Sequence, residues 1–226
     1  MKFDCAVTSA RSPQIIRDVF TMNNQRFRNV YITMGLPGTG KTSFCERLYN
    51  GFPPGQCKLI KRDQVRMDLL WDIRKEDPKV QEEQLKNIDN LTTEAVIEAF
   101  YAAYDNSNYA GFIIDGCHTE ARTMLALLNA IRGVVQDEPV IVTVCIVGCP
   151  YSGSYYQLTD QEEGDYSSFE RDGKHTSIPL IVYNKKKRQM LEFLNDTDAF
   201  ETMSYLADSY LIVPSFDGRF VEIGAQ

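Results

Sequence analysis

No run of eighteen or more apolar residues occurs in the chain, and MKFDCAVTSARSPQ at its start lacks the apolar core of a secretory signal. Membrane spanning and export are therefore not expected, and a cytoplasmic location is. The six cysteines (Cys5, Cys45, Cys57, Cys117, Cys145, Cys149) form no CxxC pair, and several lie inside apolar runs. That disfavours a zinc or disulfide framework and predicts reduced, buried or half-buried thiols. Positive charge is short as well: 24 Lys and Arg against 31 Asp and Glu leave a net charge of -7. An acidic balance excludes a large surface that coats DNA non-specifically, but not a narrow basic cleft. No internal repeat is visible. What remains is an ordinary globular composition, 43% hydrophobic over 226 residues, enough for one large α/β domain or a domain with an insertion.

Strand-like and helix-like stretches take turns along the chain. Apolar, β-rich runs at Val30 to Met34, Cys57 to Lys61, Gly111 to Asp115, Val140 to Val147 and Tyr210 to Pro214 are bounded by turn-forming or charged residues. Most are continuous rather than alternating, as strands buried on both faces are. Helical spacing marks Lys41 to Tyr49, Asp63 to Ile73, Val80 to Tyr104, Glu120 to Val134 and Leu180 to Phe193. The expected fold is α/β, a doubly wound parallel sheet with helices on both faces. Residues 1–28 are expected to form an N-terminal extension to a domain spanning 29–226. The stretch from Tyr151 to Ser177, rich in Tyr, Ser, Asp, Glu and Gly, is expected to be a loop or lid insertion. SYLIVPSFDGRFVEIG reads as a strand and then a hairpin around Asp217-Gly218.

GLPGTGKTS, residues 35 to 43, stands between a strand-like and a helix-like run, and its Gly35, Gly40, Lys41 and Thr42 satisfy GxxxxGK[ST]. Gly35, Gly38 and Gly40 allow the backbone of the loop, which also holds Pro37, to curl so that successive N–H groups, with those of Thr39 and Ser43, surround a polyphosphate. The helix starting at Lys41 adds unpaired donors and the positive end of its dipole. Lys41 is placed to reach the β- and γ-phosphates, and the Thr42 hydroxyl to help hold Mg2+. By composition such a match arises by chance in roughly one chain of this size in a hundred. Nucleotide binding is the firm reading.

The acceptor is the open question. A GTPase switch needs NKxD and DxxG; Asn184-Lys185-Lys186-Lys187 lacks the aspartate, and Asp115-Gly116-Cys117-His118 lacks the second glycine. A kinase needs a carboxylate near the attacking hydroxyl, at the C-terminal end of a strand beside the P-loop strand. Asp63 in KLIKRDQVRMDLL stands there, directly after Lys58 to Lys61; the same position would also suit a helix N-cap.

GLPGTGKTS, followed by RDQVR and then FIIDGCHTEAR, resembles the kinase domain of bacteriophage 5'-hydroxyl polynucleotide kinases and their P-loop relatives over about residues 29 to 195. The resemblance implies an ATP- and Mg2+-dependent phosphotransferase, and a host-cytoplasm location if the chain is phage-encoded. It implies that Asp63 accepts the proton of the attacking hydroxyl and that Arg66, one turn later on the same helix face, engages the acceptor's phosphate. A salt bridge from Arg66 to Asp68 or Asp115 is the structural alternative. Asp115, closing its strand, corresponds to a carboxylate beside Mg2+, where it would order a metal-bound water or hold Thr42; capping of the next helix is the other possibility. His118 is read more readily as a surface or capping residue than as a catalyst.

The insertion departs from the family's arginine-rich lid. Arg171 is the best candidate to balance charge on the transferred phosphoryl group and to contact the nucleotide, with Lys174 as its alternate; either could be a solvated loop charge. Lys185 to Arg188 could follow phosphates, or form the solvated side of a helix opposite Ile181, Val182 and Met190. Tyr151, Tyr155, Tyr156, Tyr166 and Phe169 could stack on unpaired bases or pack the lid on the domain. The expected acceptor is a nucleic-acid 5'-hydroxyl, DNA or RNA. A hydroxymethylated pyrimidine in DNA, a nucleoside or a sugar, and a non-catalytic nucleotide-binding module are the alternatives. No DxDGT-type phosphatase motif is present.

Overall fold

The computed structural model describes residues 28–136, 138–148, 166–171 and 174–213, with the backbone alone for 166–180. Its elements run β1 (Arg28–Met34), α1 (Lys41–Gly51), β2 (Cys57–Lys61), α2 (Arg62–Ile73), α3 (Pro78–Lys86), α4 (Ile88–Tyr104), β3 (Gly111–Asp115), α5 (Ala121–Val135), β4 (Val140–Val147), β5 (Tyr166–Arg171), β6 (Lys174–Pro179), α6 (Leu180–Asn195), α7 (Thr197–Leu206) and β7 (Ser209–Val213).

Five strands form one all-parallel sheet in the order β2-β3-β1-β4-β7. Side chains of the three central strands alternate between two buried faces, which is why those runs are mostly apolar, whereas the edge strands β2 and β7 are only partly buried. From β1, Val30, Ile32 and Met34 join Phe112, Ile114, Val142 and Val144 under Phe100 of α4, Leu127 of α5, Met190 of α6 and Met203 of α7. From the same strand Tyr31 points the other way, to Ile113, Cys145 and Phe44, Cys45 and Leu48 of α1. Helices thus cover both faces, and the fold is the doubly wound α/β P-loop architecture. Parallel registers such as Lys61↔Asp115 and Met34↔Ile146 align the strand ends, so the segments after β1, β2, β3 and β4 all emerge along one edge. Cys45, Cys57 and Cys145 are buried free thiols and Cys117 a half-buried one, whereas Cys5 and Cys149 lie outside the described residues.

Several expectations are corrected. The helix expected over Val80 to Tyr104 is two helices, α3 and α4, with Asn87 capping both and leaving α-helical geometry at φ -103, ψ 8. The apolar face explains the break: α3 buries no residue, whereas α4 turns Ile88, Thr92, Val96 and Phe100 inward. α7 was not expected, although Asp196 caps it by accepting from Ala199 N at 3.0 Å, and Ala199, Met203 and Leu206 form its buried stripe. Within the insertion read as a loop, the backbone of β5 and β6 pairs as an antiparallel hairpin with Arg171 opposite Lys174. On α6, Ile181 is 79% exposed; Tyr183, Met190 and Phe193 are the buried side, which moves the apolar face from the one expected. Arg28, expected to end the N-terminal extension, instead begins β1; residues 1–27, Tyr151, Tyr155, Tyr156 and the hairpin expected around Asp217-Gly218 lie outside the described residues.

Candidate active site

The P-loop is built from turns that only glycine makes without strain. Gly38 and Gly40 have φ of 78° and 84°. Gly40 is also the N-cap of α1, and no side chain caps that helix, so its first-turn N–H groups remain for an anion. Two groups converge on one carbonyl: Lys41 Nζ donates to Leu36 O at 2.5 Å and Thr39 Oγ1 donates to it at 2.8 Å. A polyphosphate in the curl would offer Lys41 a better partner than a neutral carbonyl, since charge-assisted bonds are about twice as strong. Pro37 and Thr42 are half-buried and Ser43 is exposed.

Neighbouring strands pin this loop. Gly35 N donates to Cys117 O at 2.9 Å, and beneath it Thr33 Oγ1 accepts from Gly116 N at 3.0 Å. The backbone after β4 closes the other side: a Cβ on Gly148 would lie 2.6 Å from Thr39 Cβ, and one on Gly35 2.3 Å from Val147 O. Neither Gly148 nor Thr33 was singled out in the sequence, because both act through close approach rather than through a motif.

Asp63 lies in the first turn of α2, exposed, with no hydrogen bond or ion pair to any described residue. It does not cap the helix: Lys61 is the N-cap and α2 begins at Arg62. The carboxylate is thus free to face an acceptor while gaining from the positive helix end. Arg66 is held neither by Asp68 nor by Asp115. Its Nη1 donates to Asp89 Oδ1 of α4 at 2.9 Å, and Arg62 Nη2 donates to the Asp89 carbonyl at 3.2 Å. One residue therefore orients both arginines, and neither Arg62 nor Asp89 had been given a role; their separation by 27 positions hides the link in sequence.

Asp115 is buried at 7% exposure, opposite Lys61 in the register of the neighbouring strand. It does not cap α5, whose N-cap is Glu120. Burial, then the Asp115 carboxylate and the Cys145 thiol, raise the Cys45 thiol well above its ordinary range, while Thr33 and Lys41 act in the opposite sense. Asp115 and Lys41 are thus both within electrostatic reach of one thiol on α1. Thr42 and Asp115 are the groups that could hold Mg2+. Among the described residues no group of three or more His, Cys, Asp or Glu could hold a metal, and Mg2+ bound through substrate phosphates, waters and one or two protein groups needs none.

His118 is buried, neither surface nor cap, and its ring packs over Gly116 beside Arg62. Of the lid cations, Arg171 ends β5 and Lys174 begins β6. In the Lys185 to Arg188 run, Lys186 and Lys187 are half-buried and Arg188 pairs with Glu192 at 3.7 Å. A groove of about 590 Å³ follows the open edge of β2, lined by Tyr49, Lys58, Lys61, Gln64 and Tyr109 among others. No helix among the described residues is long and apolar enough to cross a membrane.

No family model and no curated protein matches the chain. Among solved structures, it is similar to a chain of the Pnkp1/Rnl/Hen1 RNA repair complex, with 16% identity and a TM-score of 0.46 over 76% of this chain and 46% of that one. This chain thus spans less than half the length of that relative. It is also similar to a candidate kinase from Chloroflexus aurantiacus J-10-fl, with 12% identity and a TM-score of 0.48 over 88% of this chain and 94% of that one. Both scores lie below 0.5, so the fold rests on the sheet order and loop geometry above.

Proposed function

We propose that the chain is a Mg-ATP-dependent phosphotransferase that moves the γ-phosphoryl group to a hydroxyl of nucleic acid, most directly a 5'-hydroxyl. The observation that carries this reading is the Asp63 carboxylate, unpaired among the described residues, in the first turn of the helix after β2, a strand that β3 and its closing Asp115 separate from the P-loop strand rather than the immediate neighbour expected. A module that only binds nucleotide has no use for that carboxylate.

In this reading the P-loop N–H groups and Lys41 hold the β- and γ-phosphates, and Thr42 and Asp115 hold Mg2+. Bound there, Mg2+ would supply charge neutralisation for the phosphates. Asp63 takes the proton of the acceptor hydroxyl as that oxygen attacks, while Arg66, steadied by Asp89, orients the acceptor through its phosphate. Arg171, with Lys174 as alternate, supplies a cation from the hairpin.

The test is a transfer assay with γ-labelled ATP and a panel of acceptors: 5'-hydroxyl DNA and RNA, hydroxymethyluracil-containing DNA, nucleosides and sugars. Label on strand ends is expected. Label that survives removal of the terminal nucleotide would move the acceptor to the base, label on nucleosides or sugars alone would remove the nucleic acid, and no label on any acceptor would overturn the kinase reading.

A further inference from the structure

His118 is a buried imidazole without a hydrogen-bond partner among the described residues. It is 4% exposed, and neither Nδ1 nor Nε2 has a hydrogen-bond partner among the described residues. Its φ of 42° lies in the left-handed region, which non-glycine residues seldom adopt. Unpaired buried polar atoms and left-handed backbone are each unfavourable. Such costs persist where surrounding structure enforces them, and they concentrate at ligand sites.

The surroundings say what is missing. A Cβ on Gly116 would lie 2.5 Å from His118 Nε2 and 3.1 Å from Arg62 Cδ, so the ring and the arginine stem meet over a residue that leaves them room. Three elements direct charge at the ring, and all of it is positive: Arg62 from α2, Lys41 from α1 and Lys186 from α6. Burial first, and these cations after it, push the imidazole down to about 3, so it is neutral and offers one N–H donor and one acceptor. Arg62 Nη2 donates to the Asp89 carbonyl at 3.2 Å and lies 3.9 Å from the Asp89 carboxylate, which leaves Nε and Nη1 of its planar fork for an anion. A phosphate oxygen would supply the acceptor that the imidazole N–H lacks among the described residues, and its negative charge would suit the positive side chains around the ring.

We propose that His118 and Arg62 form a phosphate monoester subsite at the seam between the donor loop and the acceptor helix. This deepens the phosphotransfer reading and rests on it. It is separate from the contact assigned to Arg66, whose Nη1 is already engaged by Asp89. A monoester at this seam has two sources, a phosphate the acceptor already carries or the one newly made by transfer.

The chain contains two histidines, so imidazole nitrogen NMR gives few signals, and His118→Asn assigns the one in question. The full chain, saturated with Mg2+ and a non-hydrolysable ATP analogue, is titrated with thymidine, thymidine 3'-monophosphate and thymidine 5'-monophosphate. Movement of the His118 signal with a monophosphate and not with thymidine is expected, with affinity at least 10-fold weaker in Arg62→Gln. Response to the 3'-monophosphate assigns the acceptor's own phosphate, and response to the 5'-monophosphate the product's. No movement, equal movement with thymidine, or movement on adding the ATP analogue alone overturns the subsite, as does unchanged affinity in Arg62→Gln. A His118 response without transfer to any acceptor would sink the kinase reading and leave the subsite standing; transfer without a response would do the reverse.

Discussion

Gly148 belongs to no motif, yet adding one methyl group there should disable the donor loop. Its φ is +64°, and an added Cβ would lie 2.6 Å from Thr39 Cβ and 2.7 Å from Thr39 Cγ2. Left-handed backbone costs an alanine about 1–2 kcal/mol, and forcing a carbon into filled space about 1–3 more. Gly148→Ala should therefore lose about 2–5 kcal/mol, out of the 5–15 typical of a domain. At this chain length that is a fall in Tm of roughly 4–20 °C. Because Thr39 is the atom set that must move, the affinity for ATP should fall with stability. Thr39→Gly alone should cost about 1–2 kcal/mol, from the 2.8 Å bond to Leu36 O and the added chain entropy. In the double variant the collision is gone, so its loss should be smaller than the sum of the two by about 1–3 kcal/mol. Urea denaturation and calorimetric titration of the four proteins with an ATP analogue measure both quantities. Losses that add to within about 0.5 kcal/mol would show that the two residues do not collide, and would refute the steric account of the loop.

Two further outcomes follow from side chains behind the site. Asp89→Asn should cost less than about 1 kcal/mol of stability, because its pair with Arg66 is half-exposed at 39% and 42%. It should raise the acceptor KM by roughly 5-fold, equivalent to about 1 kcal/mol, with little change in ATP affinity; an unchanged acceptor KM would detach the arginines from the acceptor. His118, lowered from 6.5 to about 3 in the fold, is neutral there while the unfolded chain binds a proton. Its contribution is complete above pH 6.5 and is lost as pH falls toward 3, by up to about 1.4 kcal/mol per pH unit. Denaturation of wild type and His118→Asn at pH 7, 6 and 5 should therefore show the gap between them shift in favour of the mutant as pH drops. A constant gap would mean that the imidazole is solvated.

How much of this was legible follows from how local each signal is. β3 and β4 could be bounded from sequence because a strand buried on both faces leaves a continuous apolar run with abrupt ends, and β2, a half-buried edge strand, because charged and turn-forming residues bracket its short β-rich run. The glycine turn of the P-loop and the position of Asp63 at the start of a helix were legible too, since both depend on adjacent residues. The break at Asn87 was not, because helical spacing continues through it while the partner surface changes. α7 had its signals, an aspartate cap and a stripe at 199, 203 and 206, and was passed over among polar neighbours. His118, Arg62 and Asp89 were hidden differently: each is an ordinary residue type, and their meaning comes from a contact made across three elements.

The central claim is that Asp63 is a base rather than a helix-end charge, and Asp63→Asn tests it most directly. Pre-steady-state transfer from γ-labelled ATP, measured beside ATP-analogue affinity, should show binding within about 2-fold of wild type and a rate lower by roughly 10²-fold or more. Comparable turnover in Asp63→Asn, or a loss of rate matched by an equal loss of nucleotide affinity, would contradict the account.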